Sequence, residues 1–290
     1  MDTPSRFPVP ADLASEVARA LAEDVGSGDV TARLVPEDAL VRGEVVTRED
    51  AVLCGAPWVS AVFAQLDPRI TLTWRAIDAD AVRAGQVLFA VEGPARPVLT
   101  GERTALNFLQ LLSGVATAAR AFVGAVAGTG CTVLDTRKTV PGLRAAQKYA
   151  VRCGGASNHR MGLHDMVLIK ENHIAAAGSL AAAVAAARRS GGPLRVEVEV
   201  ESLAQLEEAL GPQPDIVLLD DFSLADLTAA VARVRQSGSK VKLEASGGAS
   251  LETVRAVAAT GVDYVSVGAL TKHVRAVDLS MRLTLTPPRT

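Results

Sequence analysis

Apolar and polar positions follow two different rhythms along this chain. Over residues 11–24 the apolar residues Leu13, Val17 and Leu21 stand four apart, which predicts a helix with Asp12 as its cap and the glycine turn at 26–29 as its end. Between 43 and 98 the pattern shortens to GEVVTRED, AVLCG, ITLTWRAI and QVLFAVEG, segments that alternate or run apolar between Gly, Pro and Asp. Strands that follow one another without long helices between them predict an antiparallel sheet, interrupted here by one helix at 56–66. A second long helix is expected over 99–113, with Leu106, Leu109 and Leu112 in one stripe and Phe108 and Leu111 in another. A helix apolar on two sides has to be covered on both. Arg103 falls in its first turn, where the helix dipole mildly disfavours a cation, and spacing alone leaves it as either a surface or a site residue.

After Gly114 the rhythm becomes strand, helix, strand, helix. Strands are expected at 131–135, 166–170, 195–200, 215–220, 240–246 and 263–269, with Ala-rich helices at 179–189, 203–210, 224–236 and 251–259. Continuous apolar strands alternating with helices predict a parallel sheet covered by helices. Each strand also closes on a polar residue or glycine: Asp135, Lys170, Glu199, Asp220, Glu244 and Gly268. In barrels of this class the C-terminal strand ends form the active face. The expected fold is a (β/α) barrel with fewer than eight strands, or open on one side.

Charge adds a location. The chain carries 30 basic and 32 acidic residues, a net charge of −2, yet its cations gather between 137 and 170. Arg137, Lys138, Arg144, Lys148, Arg152, Arg160 and Lys170 lie there, and Asp165 is the lone acid among them. Three of the four histidines, His159, His164 and His173, lie in or just after this run. The ligand expected is a small polyanion, because local rather than global charge is the signal. A near-neutral total argues against nucleic acid. No apolar run reads as a membrane span, and the N-terminus lacks the pattern of a secretion signal, so a cytoplasmic protein is expected. Cys54, Cys131 and Cys153 are odd in number and widely spaced, which reads as reduced thiols.

The strand RVEVEVE sets Glu197, Glu199 and Glu201 on one face and Val196, Val198 and Val200 on the other. Either it is an edge strand with a solvated acidic face, or its glutamates point into the barrel and need cations or a metal there. The last two strands run into glycine turns, Ser246-Gly247-Gly248 and Gly268-Ala269. Such turns ahead of a helix commonly hold a phosphate. A phosphate cradle, a cationic cluster and the carboxylates Glu199 and Asp220 together suit phosphoribosyl pyrophosphate with Mg²⁺, and the remaining arginines imply an acidic second substrate. A Schiff-base lysine at Lys170 is the alternative chemistry, but it leaves the arginine excess without a use.

DTRKT (135–139), NHR (158–160) and KENH (170–173), with EDVGSGDVT, GERTALNFLQLLSGVAT, VEVEVES, LLDD and LEASGGAS, closely resemble the quinolinate phosphoribosyltransferase family over nearly the whole chain and in order. The resemblance implies an N-terminal α/β sandwich domain at 1–113, completed by 275–290, and an incomplete, open α/β barrel at 114–274. It implies transfer of phosphoribosyl to quinolinate with loss of CO₂, in a homodimer whose site is shared between subunits. On that resemblance Arg103 would reach the pyridine dicarboxylate from the second subunit, Arg137, His159 and Arg160 would bind it, and Thr136 would be a further substrate-binding residue. Lys138 and Lys170 would sit between the two substrates and take part in catalysis, and Glu199 and Asp220 would lie near the ribose and, through the substrate, Mg²⁺. Ser246, Gly247, Gly248, Gly268 and Ala269 would hold the 5-phosphate. The usual LLDN reads Leu218-Leu219-Asp220-Asp221 here, so no role follows for Asp221 or for His273.

Overall fold

A computed structural model describes residues 5–286. Its first half runs α1 (Leu13–Val25), β1 (Leu40–Thr47), β2 (Ala51–Val52), α2 (Ala56–Leu66), β3 (Thr71–Trp74), β4 (Ala81–Val82), β5 (Val87–Pro94) and α3 (Ala95–Ala125). Then come β6 (Thr132–Leu134), α4 (Arg144–Cys153), β7 (Val167–Ile169), α5 (Glu171–Ala177), α6 (Leu180–Gly191), β8 (Val196–Val200) and α7 (Leu203–Leu210). The chain closes with β9 (Ile216–Asp220), α8 (Leu224–Ser237), β10 (Lys242–Ser246), α9 (Val254–Ala259), β11 (Tyr264–Ser266), α10 (Ala269–Lys272) and β12 (Leu279–Thr286). These elements form two compact units, one of residues up to Arg120 with Thr139–Gly155 and the chain from His273 on, the other of Ala121–Lys138 and Ala156–Lys272.

The first unit is built on an antiparallel sheet in the order β12-β1-β5-β3, beside a small β2-β4 pair. Strand β1 buries alternate residues, Val41 and Val45 among them, and pairs with β12 from Leu40↔Thr286 to Thr47↔Leu279. The segment assigned with the first domain at 275–290 thus supplies an edge strand to it; residues 287–290 lie outside the described residues. Helix α3 departs from expectation by running 31 residues, starting at the end of β5. Arg103 therefore stands in its third turn, beyond the reach of the N-terminal dipole. The most apolar window of α3 has a mean hydropathy of 1.3 and a length that could cross a membrane, but half of it is buried inside the protein. Leu106, Leu109, Leu112, Val115 and Ala116 are at or below 2% exposed, the pattern of a core helix. Asp12 precedes α1 without a side-chain capping bond, and Gly26, at φ 53°, ends the helix.

Helix α4 was not foreseen, and it moves residues 139–155 out of the barrel and into the first unit. Its Ala146, Tyr149, Ala150 and Val151 are buried, an apolar face interleaved with cations that hid the helix in a basic run. The cationic stretch is therefore divided. Lys148 is fully buried in the first unit, Arg152 stacks over the Phe7 ring at 4.9 Å, and Arg144 Nε donates to Thr139 Oγ1 at 3.1 Å.

The second unit is a six-stranded parallel sheet in the order β6-β11-β10-β9-β8-β7, whose end strands β6 and β7 do not pair. This is the open barrel. One parallel bridge, Leu134↔Ser157, takes up the free edge of β6. Val133, Val198, Val217, Leu219, Leu243 and Val265, each at or below 2% exposed, form the core beneath the helices. Helices α6, α7 and α8 start on Ser179, Ser202 and Ser223, whose side chains accept the N–H of Ala182, Gln205 and Asp226. Those caps fix where each helix leaves its strand, and so where each strand end opens.

Candidate active site

The C-terminal strand ends of the second unit surround a cavity of about 470 Å³. Thr136, Arg137 and Lys138 enter from the end of β6, His159 and Arg160 from the segment after Ser157, and Lys170 from the end of β7. Glu199 from β8, Asp220 from β9 and Ser246 from β10 complete the ring. Nine of the residues singled out from the sequence thus line one space. Arg103 does not: it is exposed on α3 in the first unit.

Strand β8 settles the choice between edge and interior. Val196, Val198 and Val200 are buried, Glu197 is fully buried and Glu199 points into the cavity. Glu201 lies past the strand end and is exposed, so it joins no site. Both oxygens of Glu199 accept from Lys170 Nζ, at 2.8 and 2.6 Å. This pair holds the lysine across the β7–β8 boundary. From the other side, His173 Nδ1 accepts the Lys170 backbone N–H at 3.0 Å, which gives that histidine a structural task.

Arg137 and Arg160 both line the cavity. Burial lowers the Arg160 pKa, and the charge of Arg137 lowers it further. Two guanidinium groups held close enough to feel one another form a site whose electrostatic strain an anion relieves. Lys138 is exposed, its N–H donates to Thr136 Oγ1 at 3.0 Å, and its carbonyl accepts from Thr271 Oγ1 at 2.8 Å. A Cβ at Gly268 would lie 3.1 Å from Lys138 Cδ and 3.5 Å from Thr136 Oγ1, so the glycine lets these side chains approach closely.

The turn at Ser246-Gly247-Gly248 depends on Asp221. Asp221 adopts φ 57°, donates its N–H to Ser246 O at 2.9 Å, and leaves no room for a Cβ on Gly247, which would meet it at 3.0 Å. Gly247 itself has φ 114° and Gly248 φ 53°, values that favour glycine. Asp221 is thus a scaffold for the loop, a role invisible in its departure from LLDN. Helix α9 begins at Val254, three residues later than expected, so the second glycine is separated from it by a turn.

Three buried acids lie beneath the mouth and were not recognised as site supports. Asp135 accepts from Asn158 Nδ2 at 2.6 Å and from the His159 N–H at 2.9 Å. Glu244, named as the polar residue closing its strand, sits two residues before the end of β10, which runs to Ser246 as expected. It is fully buried together with Glu197, and the two face His159. Burial first, and then the Glu197 charge, raises the Glu244 pKa well above the carboxylate range. Asp165, the one acid of the cationic run, accepts the N–H groups of Met161 and Gly162 at 2.7 and 2.9 Å and holds the turn after Arg160.

Residues 29–113 match the N-terminal domain of quinolinate phosphoribosyl transferase, and residues 115–282 match its C-terminal domain. A nicotinate-nucleotide pyrophosphorylase [carboxylating] of Mycobacterium leprae is 45% identical over 271 residues, covering 92% of this chain and 95% of that protein. A chloroplastic protein of the same name from Arabidopsis thaliana is 37% identical over 94% of this chain and 83% of its own length. The structure of the nicotinate-nucleotide pyrophosphorylase from Francisella tularensis superposes with a TM-score of 0.92 at 46% identity, over 96% of this chain and 98% of that one. A human nicotinic acid phosphoribosyltransferase, at 14% identity and a TM-score of 0.62, shares the fold. With both of its domains matched and relatives of this closeness along nearly its full length, the chain belongs to the quinolinate phosphoribosyltransferase family.

Proposed function

We infer that this chain transfers the phosphoribosyl group of phosphoribosyl pyrophosphate to the ring nitrogen of quinolinate, releasing CO₂ and pyrophosphate and giving nicotinate mononucleotide for NAD synthesis. The observation that carries this reading is one cavity lined by Arg137, Arg160, Lys138 and Lys170 and also by Glu199 and Asp220. Such a space suits a dicarboxylate and a polyphosphate beside a sugar whose hydroxyls seek carboxylate acceptors. Thr136, Arg137, His159 and Arg160 form the quinolinate side. Ser246, Gly247, Gly248, Gly268 and Ala269 form the 5-phosphate side, where backbone N–H groups can approach an anion closely.

Mg²⁺ fits this donor set. Asp220 offers carboxylate oxygens to the cavity, while both Glu199 oxygens accept from Lys170, so these acids would meet the metal through its shell of water and substrate phosphates. Bound there, it would neutralise charge on the departing pyrophosphate. Lys170 and Lys138 supply fixed positive charge near the same leaving group, while Glu199 and Asp220 face the positive character that develops at ribose C1. The arginines hold the pyridine so that its nitrogen meets C1. Loss of CO₂ leaves an electron pair at C2 that the newly cationic ring stabilises, and a proton then replaces it. No protein nucleophile is needed.

The site is completed in a homodimer by Arg103 of a second copy. Three buried free thiols, Cys54, Cys131 and Cys153, suit the cytoplasm. The direct test is incubation with quinolinate, phosphoribosyl pyrophosphate and Mg²⁺: release of CO₂ and appearance of nicotinate mononucleotide is the expected outcome. A stable borohydride adduct on Lys170 with a carbonyl substrate would overturn it. The shared site is tested by mixing Arg103→Ala with Lys170→Ala protein. Each alone should be inactive and the mixture should recover part of the activity; no recovery would sink the shared arrangement.

A further inference from the structure

His159 lines the cavity, yet the geometry directs its ring into the protein. Its Nδ1 accepts the backbone N–H of Arg160 at 2.7 Å, so the ring hydrogen resides on Nε2. Nε2 lies 3.0 Å from Glu197 Oε2 and 3.6 Å from Glu244 Oε2, both fully buried. Neither carboxylate has an aligned hydrogen bond among the described residues, so Nε2 stands beside the pair as a close charge contact that a small ring rotation would align. The three side chains bring ligating atoms within 4.8 Å of one another, which invites a metal reading. The Nδ1 acceptor bond argues against it, since a metal on Nε2 would then require an imidazole with no hydrogen on either nitrogen.

The His159 side chain is only 10% exposed, so packing and polar contacts both hold the ring. A second cavity of about 450 Å³ is lined by Asn158, His159, Arg160 and Glu244. The polar contacts include Asp135 on the His159 N–H, the carboxyl pair beside Nε2, and Nδ1 on the Arg160 N–H. Burial first, and then the Glu197 charge, push the Glu244 pKa up, which eases the approach of the two carboxyl groups.

We propose that Glu197 and Glu244 are positioning residues that seat the His159 ring, and that His159 in turn fixes the backbone of Arg160 so that its guanidinium meets a carboxylate of the pyridine substrate. The proposal rests on the reading of Arg160 as a quinolinate group. It differs from a role in general stability, because only one of the two substrates should feel it.

The experiment is a steady-state comparison of the parent dimer with Glu197→Leu, Glu197→Gln, Arg160→Ala and the double variant Glu197→Leu/Arg160→Ala. Misplacing a binding group by a fraction of its contact distance can cost about tenfold to a hundredfold, so Glu197→Leu should raise the quinolinate KM by about tenfold or more while the phosphoribosyl pyrophosphate KM stays within about twofold. Glu197→Gln keeps an acceptor for Nε2–H and should return the quinolinate KM to within about threefold of the parent. The double variant should be no worse than Arg160→Ala, since two groups that act through one contact do not add. If Glu197→Leu does not fold, Glu244→Leu carries the same comparison. An unchanged quinolinate KM in Glu197→Leu beside a raised one in Arg160→Ala overturns the relay and leaves the substrate reading standing. Equal rises in both KM values with a lowered melting temperature, or full additivity in the double variant, also overturn the relay. An unchanged quinolinate KM in Arg160→Ala itself overturns the substrate reading and the relay with it.

Discussion

Each unit buries carboxylates, and Asp78 of the first is surrounded quite differently from Glu197 and Glu244 of the second. In the first unit Asp78 accepts from the N–H groups of Gly55 and Ala56 at the start of α2, each at 3.1 Å, and from Tyr149 Oη at 2.7 Å. Every donor it meets belongs to a fixed piece of scaffold, and the acid works as a staple between a loop, a helix and α4. In the second unit Glu197 and Glu244 meet an imidazole, and Glu199 meets a lysine, both of which also line the cavity. Asp78, bonded to backbone N–H groups and Tyr149, fixes the fold, whereas Glu197, Glu244 and Glu199 face side chains that line the cavity. Burial alone does not distinguish them, because Asp78, Glu197 and Glu244 are all 0% exposed.

Substitutions should therefore separate turnover from stability. The largest effect is expected from Lys170→Ala, which removes fixed charge beside the reacting groups and should lower kcat by about a hundredfold to a thousandfold with little change in the unfolding midpoint. A loss of stability on the same scale would erase the contrast. Asp78→Ala should do the reverse, leaving three donors without an acceptor and lowering stability by on the order of 2–3 kcal/mol in denaturant titration while both KM values hold. Its carboxyl is pushed up to about 6 from 3.8, mainly by burial, with the Asp80 charge adding to it. The folded state thus binds this proton more tightly than the unfolded chain does. Its contribution is fully present below about pH 3.8 and is lost as pH rises through about 6. Asp78→Asn should flatten that slope, and an unchanged slope would show that another group sets it. Lys138→Ala, at an exposed position, should cost activity by about tenfold or more without moving the midpoint. The smallest effect should be that of Gly247→Ala, which strains the turn against Asp221 and should raise the phosphoribosyl pyrophosphate KM by about threefold to tenfold, with quinolinate unaffected.

Much of the architecture was legible because it obeys simple periods. Valines alternating with glutamates in β8 narrowed that strand to an edge or an interior one, and the glycine turns after the last strands were visible as turns. Helix α4 was hidden because its buried face includes Lys148 and Gln147, residue types that read as surface. The length of α3 was hidden by Pro97 and Gly101, which sit inside its first turns without ending it. Of the site, the charged residues at strand ends were visible and their supports were not. Glu244 was read as the strand's polar end, although the expected strand already ran to Ser246, where β10 and its pairing with β9 also end. Asp221 looked like a lost asparagine, whereas its backbone carries its role.

The bridge between Leu134 and Ser157 has a consequence for how such a site can vary. A closed barrel repeats one geometry, so every side chain at its rim arrives along the same inclined path. Here the ring is interrupted, and a single residue stands in for a strand. The chain that follows it is bound by side-chain contacts to Asp135 and Asp165 rather than by a ladder of backbone bonds. Changes in those few acids could re-aim His159 and Arg160 without disturbing any strand register. The gap is the adjustable part of an otherwise rigid frame, and substrate preference among proteins of this fold would be expected to change there first.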